Sequence, residues 1–117
     1  MFHPPFDVQL GSHIVQPDLI IVCDLEKLTS TKCIGAPDLI AEVVSASSNK
    51  RDTVYKHDLY QEYKVKEFWQ VYPSDAEIWV YTLEYGKYGD AAVYKEDDLI
   101  TLSFDPSVTI LVKDVFD

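Results

Sequence analysis

The feature that most constrains this chain is a pair of apolar faces interrupted by charge, in the stretch from Pro37 to Val65. Residues Leu39–Val44 are apolar on both sides, which predicts a strand covered on both faces. Because side chains alternate along a strand, Glu42 falls in the middle of one of these faces. A buried carboxylate is costly unless a cation, a metal ion or several hydrogen-bond donors meet it. Glu42 is therefore a candidate site residue.

The helix predicted next along the chain carries the same anomaly. At about 100° per residue, its buried arc is formed by Tyr55, Leu59, Tyr60 and Tyr63. Asp52 and Lys56 point into this arc, so strand and helix each place a charge in their shared packing layer. This arrangement is typical of an active site. Two structural alternatives stay open: an ion pair between Glu42 and Lys56, or a surface i, i+4 pair between Asp52 and Lys56.

The remaining pattern predicts an α+β fold. Strands are predicted at 6–10, 18–23 and 67–72, with a polar connection over 24–35 and a helix that ends near Val65. Short strands at hairpin spacing follow, over 78–83, 91–95, 99–103 and 108–112. The strand–helix–strand passage favours a parallel pair of strands. We therefore expect a mixed sheet with one main helix packed on it, followed by an antiparallel meander.

Length and charge narrow the class of protein. With 117 residues, one domain over 1–117 is expected. Ten basic and twenty acidic residues give a net charge of −10, which argues against a broad basic surface for nucleic acid. The apolar runs are short and no signal-peptide pattern is present, so we expect no membrane span and a cytoplasmic location.

Asp18, Glu42 and Lys56 are the residue types that metal-dependent phosphodiester hydrolysis requires. Carboxylates on neighbouring strands supply the oxygen ligands that Mg²⁺ or Mn²⁺ prefers. The metal polarises the phosphate and activates water. A lysine beside it orients the water or stabilises the charge that develops on the phosphate.

The same residues belong to motifs that occur in a familiar order. These are Pro17-Asp18, Pro37-Asp38, Glu42 to Ser45, Asp52, Lys56, Tyr60, Val65, Glu67 and Trp69. The succession QPDLIIV, GAPDLIAEVVS and RDTVYKHDLYQEYKVKEFWQVYP closely resembles the Uma-type restriction endonuclease family of the PD-(D/E)XK nuclease superfamily.

The resemblance implies a restriction-endonuclease-like core, cleavage of DNA with Mg²⁺ or Mn²⁺, and a homodimer. Asp18 and Glu42 match the metal-binding acids. Lys56 matches the catalytic lysine, moved from the strand position of Val44 to the helix. The family's N-terminal helix and strands are missing here, so we expect a fragment, a shortened gene product or a degenerate member of the family. Lys64 stands where the family usually has glycine.

Supporting roles are predicted for four residues. Asp52 positions Lys56, and Gln70 either points toward Glu42 or is a satisfied core glutamine. Lys50 and Arg51, in the most basic part of the chain, are expected either to receive the DNA backbone or to form a solvated helix end.

Other polar residues have simpler interpretations. Asp38 is expected to be a turn or capping acid, and His57 a surface residue. Ser45 and Ser47 are expected to cap the helix. Tyr81 and Tyr88 are expected to pack across strands or form a partner surface.

The main alternative function is a catalytically silent interaction or regulatory module that keeps the nuclease fold. The net charge and the missing N-terminal segment favour it. In that case Glu42 and Lys56 only form a structural ion pair. A metal-dependent hydrolase of a smaller substrate is a third interpretation.

Overall fold

The computed structural model describes residues 6–45 and 50–116. Within these ranges the chain forms eleven strands and two α-helices. The strands are β1 (Asp7–Leu10), β2 (His13–Val15), β3 (Leu19–Ile21), β4 (Lys32–Ile34), β5 (Leu39–Val43), β6 (Glu67–Tyr72), β7 (Glu77–Glu84), β8 (Lys87–Tyr88), β9 (Ala92–Lys95), β10 (Leu99–Leu102) and β11 (Asp105–Leu111). The helices are α1 (Lys50–Glu62) and α2 (Val112–Phe116).

A six-stranded sheet organises the fold. Its order is β3-β5-β6-β7-β8, with β9 also paired to β7. The pair β5–β6 is parallel and is connected through α1, which confirms the predicted strand–helix–strand unit. The other pairs in this sheet are antiparallel. Glu42 of β5 lies directly opposite Gln70 of β6.

Both faces of this sheet are covered. On one face, α1 and the small sheet β2-β1-β4 enclose a core that includes Ile40, Tyr60 and Phe68. On the other face, the β10–β11 hairpin and α2 pack over Leu39 and Trp69. The predicted α+β class is confirmed, as is the expectation that β5 is buried on both sides.

The backbone at the end of α1 gives the context of Lys64, which stands where the family usually has glycine. This residue adopts a left-handed φ of 62°. The amide of Lys64 donates to the carbonyl of Gln61, and the amide of Val65 donates to the carbonyl of Tyr60. These two bonds form the Schellman motif that closes many helices, usually around glycine. The helix therefore ends at Glu62, a turn earlier than predicted.

Three parts of the prediction need correction. The supposed polar connection over 24–35 contains a 3₁₀ turn at Leu25–Lys27 and strand β4, which pairs in parallel with β1. Strand β1 is consequently the middle strand of its small sheet. Strand β11 begins at Asp105, three residues before the predicted start at position 108, and α2 was not predicted. The missed elements β4 and α2 have three and five residues, too few to show a clear periodic pattern.

Candidate active site

Strand pairing brings two carboxylates to the same place. Because Leu19 of β3 lies opposite Ala41 of β5, the preceding Asp18 comes next to Glu42. The Oδ2 atom of Asp18 accepts a hydrogen bond of 2.7 Å from the backbone amide of Val43. This bond fixes the exposed Asp18 carboxylate at the end of the antiparallel pair.

Glu42 is held by two side chains of α1. Only 8% of the residue is exposed. The Tyr60 hydroxyl donates to its Oε2 at 2.6 Å, and the Lys56 Nζ lies 3.2 Å from the same oxygen. Neither contact uses Oε1. The buried carboxylate therefore has the cation and the donor that its position requires.

Lys56 bridges two acids. Its Nζ also lies 3.6 Å from Oδ2 of Asp52, one helical turn earlier. The spacing of four residues places both side chains on the same side of α1. Both alternatives left open by the sequence therefore occur together, as a single chain of contacts from Glu42 through Lys56 to Asp52.

In this cluster, burial and the charge of the ion-pair partner shift the pKa values of Glu42 and Lys56 in opposite directions. Burial raises the pKa of the Glu42 carboxyl, and the Asp18 charge adds to this effect, although Tyr60 and Lys56 counteract it. Burial alone would lower the pKa of Lys56. The negative charges of Glu42 and Asp52 outweigh burial, so the Lys56 pKa is raised and the ammonium keeps its proton. Burial and the Glu42 charge also raise the pKa of Tyr60, which keeps the hydroxyl a donor.

A small cavity of about 40 Å³ opens beside these groups. It is lined by Glu42, Val43, Val44, Asp52, Thr53, Lys56, Phe68 and Gln70. Gln70 is 3% exposed, and its Oε1 accepts a bond of 3.0 Å from the Tyr72 hydroxyl. The structure thus brings together Asp52, Lys56 and Gln70 around Glu42, with Asp18 on the adjoining strand.

Comparison with known proteins identifies the family of this chain. A profile of the Uma2 family, described as "Putative restriction endonuclease", matches residues 2–112. The chain belongs to the Uma2 family. None of the curated proteins compared with it matches. The match to the Uma2 family model confirms the family that the motif order indicated.

A solved structure shares the fold of this Uma2 family member. It is described as a putative nuclease belonging to DUF820 from Anabaena variabilis, with a TM-score of 0.73 and 18% sequence identity. The similarity covers 96% of the present chain and 65% of that chain. The chain therefore spans about two thirds of the length of that nuclease-fold protein.

Lys50 and Arg51 lie in the first turn of α1, and both are exposed. They are near the positive end of the helix dipole. Lys50 lines a second, larger groove that adjoins the cavity around Glu42.

Asp38 has a structural role at the start of β5. Its Oδ2 accepts a bond of 2.7 Å from the amide of Cys23, and its Oδ1 lies 3.1 Å from the Lys66 Nζ. Burial alone would raise the pKa of Asp38, but these donors together lower it. Ser45 belongs to the described chain, whereas Ser47 lies outside the described residues.

The expectation that His57 is a plain surface residue is wrong. Its ring packs edge-on against Tyr81 at 4.9 Å and Tyr88 at 5.3 Å between centroids. Strands β7 and β8 extend beside α1, so a helix position outside the predicted arc still meets protein. The predicted cross-strand packing of Tyr81 and Tyr88 is confirmed by their contacts with Phe68.

Tyr60 was predicted as a motif residue and as part of the buried arc, but no contact with Glu42 was predicted for it. The structure confirms its burial with no exposed surface, whereas Tyr55, predicted in the same buried arc, is 48% exposed. The bond from Tyr60 to Glu42 could have been inferred from one fact, namely that Tyr60 follows Lys56 by four residues and so shares its side of the helix.

The residues that the structure describes contain neither a ready-made metal-binding cluster nor a membrane-spanning helix. Over 6–45 and 50–116, no group of three or more His, Cys, Asp or Glu side chains is arranged to hold a metal ion. In the same part of the chain, neither helix is long and apolar enough to cross a membrane.

Proposed function

We propose that this protein is a Mg²⁺- or Mn²⁺-dependent nuclease that hydrolyses phosphodiester bonds in DNA. One observation carries the proposal. Asp18, which directly precedes β3, lies beside Glu42 of the paired strand β5, and the Lys56 ammonium is 3.2 Å from Glu42. Membership of a family described as restriction endonucleases supports this chemistry.

The donor set fits a hard divalent cation. Asp18 and Glu42 would hold it through carboxylate oxygens. Mg²⁺ is commonly bound by one or two carboxylates, with water and substrate phosphate completing the shell, so a third protein acid is not required. When bound, the metal would polarise the phosphate and supply an activated water.

Three other residues prepare the site. Tyr60 holds Oε2 of Glu42, which fixes the direction of the carboxylate. Lys56 presents a protonated ammonium where negative charge develops on the phosphate. Asp52 also contacts that ammonium, at 3.6 Å, and would help to keep it beside the cavity if a metal ion were bound to Glu42.

Lys50 and Arg51 would bind the DNA backbone near this cavity. They are exposed in the first turn of α1. Because the whole chain carries a net charge of −10 and few basic residues lie here, we expect these backbone contacts to bind weakly. Gln70 lies opposite Glu42 on the neighbouring strand β6, and its buried side-chain amide would support the site.

The catalytically silent module is the second candidate, and one observation favours it. Lys56 and Glu42 already satisfy each other without a metal ion. The two candidates differ in a measurable way, because only the nuclease needs Glu42 to bind a divalent cation.

Mn²⁺ binding separates these candidates. Electron paramagnetic resonance of Mn²⁺ titrated with the parent protein should show bound metal, and Glu42→Gln and Asp18→Asn should each weaken the binding at least about 10-fold, as loss of one charged ligand predicts. Asp97→Asn, in an exposed turn, is the control for charge. Equal Mn²⁺ binding by all four proteins would refute the metal site. The predicted homodimer is tested separately by gel filtration.

A further inference from the structure

An aromatic groove lies beside the candidate site and has no role in the chemistry proposed above. It runs between the first half of α1 and strands β6 and β7, and its volume is about 620 Å³. Its walls include Tyr72, Trp79, Tyr81, Val54 and His57, with the exposed Lys50 at one side. This volume lies within the roughly 300–1,000 Å³ typical of small-ligand sites.

The walls are formed largely by aromatic and apolar side chains. Tyr72 and Trp79 are neighbours, with 5.3 Å between ring centroids and 51° between planes. The Trp79 indole nitrogen donates to Glu77 at 3.3 Å, which anchors the ring on the sheet. Val54 is 52% exposed on the helix side. An apolar surface next to a polar site is a common recognition feature.

The groove is continuous with the cavity that holds Glu42 and Lys56. Val44, Thr53 and Gln70 line both. A nucleotide whose phosphate reaches Glu42 therefore has its base or sugar within range of the groove. Gln70 contributes a polar side chain at the junction.

We propose that this groove binds an unpaired nucleobase of the DNA strand whose phosphate lies at Asp18 and Glu42. The proposal rests on the nuclease function above and specifies its substrate as single-stranded or frayed DNA. Bases in an intact duplex are stacked on each other and must be unstacked before they enter a protein groove. Aromatic side chains bind the face of any base, with little dependence on sequence.

The charge of the protein agrees with this mode of binding. Duplex binders derive most non-specific affinity from many phosphate contacts. Here the net charge is −10, and the basic residues at this end of α1 are Lys50, Arg51 and Lys56. Stacking in the groove supplies affinity that the backbone contacts of this acidic protein do not.

Binding of a fluorescein-labelled oligodeoxythymidylate, measured by anisotropy without divalent metal, tests the groove independently of cleavage. The parent should bind this strand more tightly than a blunt duplex of equal length. Trp79→Leu should weaken binding about 5- to 150-fold, the range expected for loss of one stacked base. Trp79→Phe, which keeps a ring, should lose much less. Tyr85→Asn, which removes a fully exposed tyrosine in the β7–β8 turn, is the control.

A second pair of variants covers the case in which Trp79→Leu does not fold. Val54 is exposed on α1, so Val54→Glu and Val54→Lys should both fold. The glutamate should weaken binding of the single strand, and the lysine should not. Equal affinity for strand and duplex, or no effect of Trp79→Leu and Val54→Glu, would overturn the proposal. So would a change of oligomeric state on Trp79→Leu, because it would assign the groove to a second copy of the chain.

The outcomes also separate this inference from the nuclease proposal. If the parent cleaves DNA but Trp79 and Val54 have no influence on strand preference, only the groove assignment fails. If the parent binds single strands through Trp79 but cleaves no DNA in Mg²⁺ or Mn²⁺, the groove assignment stands for binding and the nuclease proposal fails.

Discussion

The substitution Tyr60→Phe isolates the buried hydrogen bond that holds Glu42. It removes one oxygen and keeps the ring, which packs edge-on against Phe68 at 5.0 Å between centroids. Tyr60 has no exposed surface, and its hydroxyl lies 2.6 Å from Oε2 of Glu42. A bond to a charged partner contributes about 1.5–3 kcal/mol. For a chain of 117 residues, this loss corresponds to a fall in Tm of roughly 5–15 °C.

The penalty should depend on pH in a defined direction. Burial raises the pKa of Glu42 in the folded protein, so the carboxyl group binds its proton more tightly folded than unfolded. Ionised Glu42 therefore lowers stability above that pKa, and loss of the Tyr60 donor enlarges this cost. Below the folded-state pKa the carboxyl is neutral and the lost bond is weaker. The effect of Tyr60→Phe should be largest above the pKa of Glu42 and shrink as the pH falls through it.

Urea unfolding of the parent and Tyr60→Phe at several pH values measures this effect. Tyr55→Phe is the matched control, since it makes the same change on the same helix at an exposed tyrosine bonded to His13 at 3.1 Å. We expect the control to change the free energy of unfolding by less than about 0.5 kcal/mol. A Tyr60→Phe penalty no larger than that of the control, or one independent of pH, would refute the reasoning.

Three further stability predictions follow from particular contacts. Lys64→Gly should stabilise the fold by up to about 1 kcal/mol in urea unfolding because it relieves the left-handed φ of 62°. Glu62→Gly, at the last residue of α1, has no left-handed φ to relieve and should give no gain. A loss of stability in Lys64→Gly would contradict this. Asp38→Asn should cost about 1–3 kcal/mol at neutral pH. The pKa of Asp38 is lowered on folding, so its contribution is complete above its ordinary pKa and disappears as the pH falls through the folded-state value; an unchanged difference in acid would count against the assignment. Glu67→Ala should cost about 2–6 kcal/mol by calorimetry because it leaves two donors, the Trp69 indole and the Ser103 amide, without their acceptor. Glu67→Gln should recover part of this loss of stability. Equal losses in the two variants would argue against the two bonds.

The centre of the fold was predictable because its determinants are local. Strands β5 and β6 are short apolar runs, α1 places its apolar residues at helical spacing, and Glu42 and Lys56 stand out against these patterns. A charged residue on an apolar face can be recognised from the sequence alone. Asp18, which lies beside Glu42 next to the adjoining strand β3, was predicted from the order of the motifs.

The remaining features depend on contacts between distant segments. Strand β4 has three residues, and only its pairing with β1 makes it a strand. The buried Glu67 looked like an ordinary strand residue until the β10–β11 hairpin was placed near it through Ser103. The groove at Trp79 exists because β7 lies beyond the edge of α1, and no periodicity in the sequence expresses that offset.

The central claim is that Asp18, Glu42 and Lys56 form a metal-dependent nuclease centre. Its most direct test is cleavage of a supercoiled plasmid, carrying single-stranded bubbles, in Mg²⁺ and in Mn²⁺. The parent, Glu42→Ala, Lys56→Ala and the control Lys113→Ala, on the far helix α2, should be purified identically. The account predicts nicking by the parent and by Lys113→Ala that requires the metal and is lost in both site variants. Absence of cleavage by the parent, or nicking that survives both site substitutions, would contradict it.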